Sequence, residues 1–257
     1  MTSIATSTPA RCLLAAAACG AALLSFESRA SAQDIASPNR FGSKGQFAVT
    51  AEDLMGVYND RIAWQDNNGI ENSGTNTRFS LLFSTHGGGN GIVTSPASTV
   101  GFHYFVIDGL SVGGNLGYES RSGSVQYAQN GRAYTQDLGT GSTFIFEPKV
   151  GYALMLSDML GFWFRGGPSV AVDTEYPDPG DSVREDKFTY WLFSADVLFT
   201  IMPVDHFGFY VGPGLDISFT GTYTRTDRAG PANAPVSRSF DSSYRRFKLG
   251  AGMIAYF

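Results

Sequence analysis

Cysteine is almost missing from this chain. Cys12 and Cys19 are the only two, and both lie in the N-terminal apolar segment, so the chain that follows it can build no disulfide framework, thiol nucleophile or zinc–thiolate site. Long apolar runs are missing as well. After that first segment nothing approaches the roughly eighteen uninterrupted apolar residues that a spanning helix needs, which excludes a helical membrane protein. Basic charge is in deficit, with 18 Lys and Arg against 23 Asp and Glu, and a chain that presents no basic face cannot displace the counterions of a nucleic acid. Histidine is limited to His86, His103 and His206. They are scattered along the chain, and no metal or triad arrangement arises from their spacing.

What is present begins with an export signal. Arg11 supplies a weak positive start, residues 13–24 are apolar apart from Cys19 and Gly20, and Ala30-Ser31-Ala32 is a small-x-small cleavage site before Gln33. Ala16 to Gly20 loosely resembles a lipoprotein box, which leaves lipidation at Cys19 as the alternative processing. Removal of residues 1–32 leaves about 225 residues, enough for one domain. Residues 33–45 are polar and irregular, a periplasmic lead-in, and the domain itself spans 46–257. Its 31 Gly, 20 Phe and 12 Tyr suit a membrane barrel, in which glycine lets strands crowd and aromatics line the interfaces.

Alternation at period two, the mark of a strand with two unlike faces, recurs along the whole domain. In the last stretch Phe247, Leu249, Ala251, Met253, Ala255 and Phe257 oppose Arg246, Lys248, Gly250 and Gly252. Phe144, Phe146, Pro148, Val150, Tyr152 and Leu154 likewise oppose Glu147, Lys149 and Gly151, while Phe162 and Phe164 oppose Trp163 and Arg165. Two further stretches set Trp191, Phe193 and Val197 against Ser194 and Asp196, and Val211, Leu215 and Ile217 against Gly212, Gly214 and Asp216. The 99–107 stretch is ambiguous, being apolar on both faces with His103 on one. Phe47, Val49 and Ala51 alternate until Glu52-Asp53 breaks the phase, which predicts a bulge. Pro148, Pro168 and Pro213 lack a ladder donor and are expected at bulges or near a rim.

Turn chemistry orders these strands. Asp108-Gly109, Ser157-Asp158-Met159 and Asp205-His206 each stand between two apolar strands, reading as short hairpins, whereas 120–142, 173–187 and 220–244 are long and polar. Short turns at one rim and long loops at the other are the asymmetry of a transmembrane barrel. The expected strands are 46–64, 99–107, 110–120, 143–156, 160–173, 188–202, 207–219 and 244–257. The fold class is therefore all-β, an up-and-down antiparallel transmembrane β-barrel of eight strands with short periplasmic turns and long external loops. Residues 78–85 read as a ninth strand, but a periplasmic start and end require an even count, so they are assigned to the first external loop, standing above the membrane.

The inward set brings together Glu147, Lys149, Arg165, Asp196, Asp216, Arg246 and Lys248. An eight-strand barrel is filled by its own side chains, and a buried charge left unpaired costs several kcal/mol, so these residues are expected to form a salt-bridge network plugging the lumen. A narrow path for ions or small solutes along the same charges is the alternative. No catalytic, cofactor or metal site is expected: Glu175, Asp178 and Asp181 match no cation-loop template, and His86-Gly87-Gly88-Gly89-Asn90-Gly91 has no Walker lysine after it.

These features resemble the small eight-stranded OmpA-like or OmpW-like outer-membrane β-barrel proteins of Gram-negative bacteria. The resemblance rests on the export signal, on the Tyr104 to Val112 hairpin, and on Gly250-x-Gly252-x-x-x-Tyr256-Phe257. It implies residence in the outer membrane after signal removal at Ala30 and Ala32, contact with outer-membrane lipid, and insertion by the barrel-assembly machinery with Tyr256 and Phe257 as the terminal signal. It implies a structural or surface-interaction role rather than an enzyme, with the ligand of the external loops left open. A soluble secreted barrel of lipocalin type is the other reading, and it would hide its aromatics and expose its charges.

Overall fold

The computed structural model describes residues 40–65, 70–81, 98–129, 132–176, 183–228 and 235–257. The signal segment with Cys12, Cys19, Ala30 and Ala32, the first part of the lead-in, and His86, Asp178 and Asp181 lie outside the described residues.

Among the described residues nine strands follow in chain order: β1 (Phe47–Gln65), β2 (Glu71–Leu81), β3 (Thr99–Ile107), β4 (Leu110–Gln129), β5 (Arg132–Met155), β6 (Leu160–Tyr176), β7 (Val183–Val204), β8 (Phe207–Arg228) and β9 (Val236–Tyr256). They form one antiparallel sheet in the order β2-β1-β3-β4-β5-β6-β7-β8-β9, and β1 also pairs β9, from Ala48↔Tyr256 to Trp64↔Ser242. That last ladder closes a ring. On its other edge β1 is shared: residues 47–52 pair with β3 and residues 55–65 with β2. Eight strands thus make the ring, and β2 stands against the outer half of β1. The ninth strand begins earlier than the sequence suggests, at Glu71 rather than Arg78, and overlaps the expected segment only at 78–81.

Most strands also outrun their expected limits at the external end. β4 and β5 stay paired out to Gln129↔Arg132, and β7 and β8 out to Val183↔Arg228. Much of the polar sequence expected as loop is therefore ladder. The alternation of Thr, Ser and Tyr in those stretches suits a sheet wetted on its outer face, but it lacks the apolar contrast by which a strand is recognised in sequence.

The faces follow the expected division. Phe102, Leu116, Phe146, Val150, Phe193, Ile217, Phe247 and Leu249 are exposed around the ring, while Glu147, Lys149, Arg165, Asp196, Asp216, Arg246 and Lys248 are buried within it. The ambiguous third strand is settled by His103 and Phe105, which are 1% and 0% exposed and point into the lumen. A continuous apolar exterior of this kind is far larger than any patch a soluble monomer presents, and it reverses the arrangement of a lipocalin-type barrel.

The prolines sit neither at bulges nor at rims. The β5–β6 ladder runs in one register from Phe146↔Val170 to Val150↔Gly166, which sets Pro148 and Pro168 opposite each other at mid-strand, so two missing donors interrupt a single stretch of one ladder. Pro213 interrupts β7–β8 in the same way, between Asp196↔Gly214 and Phe199↔Val211. The predicted bulge is real: the β1–β9 register shifts between Ala51 and Met55, where Asp53 takes a φ of 57°, a left-handed value that Asp tolerates better than most residues. The shift is two residues, so Met55 and Val57 resume the outward phase of Phe47 and Val49. Opposite it, a Cβ on Gly252 would lie 2.3 Å from the Ala51 carbonyl oxygen, so only glycine closes the seam there.

Candidate functional site

Among the described residues buried charge concentrates in the lumen, and the bulge builds its centre. Glu52, Asp53 and Leu54 are all buried in it. Glu52 binds both terminal nitrogens of Arg165, one of them at 3.0 Å, and accepts from Asn115 Nδ2 at 2.8 Å and Thr50 Oγ1 at 2.7 Å. Four donors saturate this carboxylate. Asp196 is the second hub: its Oδ2 accepts from Lys149 at 2.7 Å and Arg165 at 3.2 Å, and its Oδ1 faces Lys248 Nζ at 3.5 Å. Lys149 also reaches Glu147 at 2.9 Å, and Lys248 reaches Asp53 at 3.4 Å. Arg246 links Asp60 at 2.9 Å to Asp216 at 3.6 Å, with the Tyr244 hydroxyl donating to Asp60 at 2.7 Å.

The seven lumen residues expected from sequence fall into two groups of ion pairs: Glu147, Lys149, Arg165, Asp196 and Lys248 in one, and Asp216 and Arg246 in the other. Three members were not anticipated. Glu52 and Asp53 are hidden in the sequence by the bulge, whose phase break was the available signal, and Asp60 lies in Asn59-Asp60-Arg61, where both faces are polar.

Apolar and aromatic groups close the lumen on either side of the charges. At the periplasmic end Phe41 is 2% exposed, its ring 5.3 Å from those of Phe105 and Trp163 and 5.4 Å from that of Tyr256. The segment carrying it is anchored by Gly109 N to Gly42 O at 2.8 Å, Arg40 Nη2 to Met155 O at 2.7 Å, and Gly42 N to Gln46 Oε1 at 2.9 Å. The described part of the lead-in, expected to be irregular, is therefore folded into the mouth of the barrel. Trp163 is wholly buried, and the Arg165 guanidinium lies 4.7 Å from its ring centre, joining this plug to the charge layer through a cation–π contact. At the external end Ile62, Phe188, Tyr190, Leu192, Tyr223 and Tyr244 form a second cluster. Burial there, together with donation to Asp186 at 2.8 Å, raises the Tyr223 phenol above its ordinary pKa. Between the charges and this cluster lies a cavity of about 20 Å³ bordered by Glu147, Asp173, Asp216 and Arg246, room for one water molecule.

The remaining candidates do not converge. His103 is inside β3, and His206 sits in the β7–β8 turn with Nδ1 2.9 Å from the Tyr256 carbonyl oxygen. Glu175 lies near the outer end of β6, paired across the strands with Gly141 and Asp186. Among the described residues no cluster of His, Cys, Asp and Glu is arranged to hold a metal ion. At the terminus Phe257 is 70% exposed while Tyr256 is 2% exposed and part of the periplasmic plug, so the two residues of the expected insertion signal face opposite ways.

No family model and no curated protein matches the chain. Among solved structures it is similar to Ail, the attachment invasion locus protein of Yersinia pestis (11% identity over 83% of this chain and 99% of that one, TM-score 0.36). It is similar also to the outer membrane protein OprG of Pseudomonas aeruginosa (11%, 84% and 97%, TM-score 0.44) and to the outer membrane protease OmpT of Escherichia coli (8%, 87% and 99%, TM-score 0.32). The chain's own ladders and faces, an antiparallel ring of eight strands that is apolar outside and charged within, make the architecture of a small outer-membrane β-barrel.

Proposed function

We propose that this chain is an exported, integral outer-membrane β-barrel protein with a closed lumen, acting through its fold and its external surface rather than through catalysis. The observation that carries the reading is the filling of the lumen, from Phe41 and Trp163 through the Glu52–Arg165–Asp196 ion pairs to Tyr190 and Tyr223, with the cavity beside Glu147, Asp216 and Arg246 no larger than a water molecule. In this reading residues 1–32 are the removed signal, Phe257 is the aromatic label by which the assembly machinery recognises β9, and the ligand contacts belong to the external strand ends. A narrow ion path along the same charges is the second reading, and the water-sized cavity beside Glu147, Asp216 and Arg246 is the observation on its side. Membrane fractionation with heat-modifiable gel migration tests the first: the protein is expected in the outer-membrane fraction, shifting on boiling, and recovery in the soluble periplasmic fraction overturns it.

A further inference from the structure

Two arginines stand side by side on the outside of the barrel just above its apolar surface. Arg61 of β1 and Arg245 of β9 are both exposed and are direct cross-strand partners. Like charges set opposite each other destabilise a sheet, and among the described residues no carboxylate pairs with either of them. Their other cross-strand neighbours are Thr75 of β2 and Ile217 of β8. The nearest outward carboxylate on these strands, Asp241, is four residues farther along β9 from the belt. Neither arginine has an ion-pair partner among the described residues.

The height of the pair is informative. Arg245 precedes Phe257 by twelve residues, which at about 3.3 Å per residue and a tilt of about 40° is roughly 30 Å along the barrel axis. An apolar belt is about 25 Å tall, and the residues just below the arginines, Val57, Phe79, Leu215 and Phe247, are exposed and apolar. The guanidinium groups therefore stand where the headgroups of the external leaflet begin. Beside them Asn59 donates to Thr77 Oγ1 at 2.8 Å, extending the polar edge across β1 and β2.

We infer that Arg61 and Arg245 form a site for the phosphate of an anionic lipid headgroup in the external leaflet. Two planar guanidinium forks on adjacent strands match the oxygens of a phosphate, and its charge removes the repulsion between them. The inference rests on the membrane reading above. The full chain, refolded into phosphatidylcholine vesicles, is probed with spin-labelled phosphatidic acid and spin-labelled phosphatidylcholine. The wild type is expected to prefer phosphatidic acid on the order of tenfold, and the Arg61→Gln/Arg245→Gln variant to lose most of that preference. The Arg225→Gln/Arg238→Gln variant is expected to keep it, because that cross-strand pair lies beyond the belt and Arg225 is already held by Asp227 at 3.0 Å. Equal preference in the wild type and the Arg61/Arg245 variant overturns the lipid site. Failure of the wild type to enter vesicles in heat-modifiable form overturns the membrane reading instead.

Discussion

Glu52 and Arg165 are 1% and 4% exposed, and each depends on the other for its charge to be tolerable inside the barrel. Arg165→Met leaves Glu52 and Asp196 short of their shared cation, and breaking one side of a buried pair costs about 3–5 kcal/mol. Urea unfolding of the refolded barrel, followed by tryptophan fluorescence, should show that loss. The Glu52→Gln/Arg165→Met double variant should recover a substantial part of it, because the stranded carboxylate is then neutral; a double variant as unstable as the sum of the single ones would show that the two residues act independently. At this scale the sequence was informative where a strand alternates cleanly, which is why Glu147, Lys149, Arg165 and Asp196 could be placed inward from their spacing alone. At Glu52 and Asp53 it announced the bulge but not that both turn inward, because the inward turn of successive residues depends on the left-handed backbone at Asp53 and on Gly252 across the seam.

Among the elements, the segment before β1 shows how little a short irregular stretch discloses. Its composition is polar, and Phe41 is one aromatic among Arg40, Gly42, Ser43 and Lys44, yet that ring fills the periplasmic mouth against three others. Its partners lie 64 to 215 residues away in sequence, so no local pattern announces the contact. Phe41→Ala should cost about 3 kcal/mol and make the buried Trp163 accessible to acrylamide quenching; unchanged quenching and stability would remove the plug role. The strand ends are a second case, since ladders such as Thr224↔Ser239 and Thr226↔Ser237 are built from residues equally common in loops. For β9, deletion of Phe257 is expected to reduce the assembled, heat-modifiable fraction severely while Phe257→Tyr reduces it little. Equal assembly of the two variants would refute the terminal aromatic as an insertion label.

The whole molecule joins two requirements in one closed ring. The exterior must be apolar to meet lipid, and the interior must satisfy every charge the strands bring inward, because the lumen of eight strands holds no bulk water to do so. Ring closure and strand parity were readable in advance from turn chemistry and alternation. Whether the charges form a plug or a passage was not, since that depends on distances across the barrel rather than along it. Recording from planar bilayers containing the refolded full chain tests the closed lumen most directly. Absence of unitary conductance at all applied voltages is the expected result; steady, reproducible unitary steps that vanish with the Arg165→Met variant would contradict it and assign the same charges to an ion path.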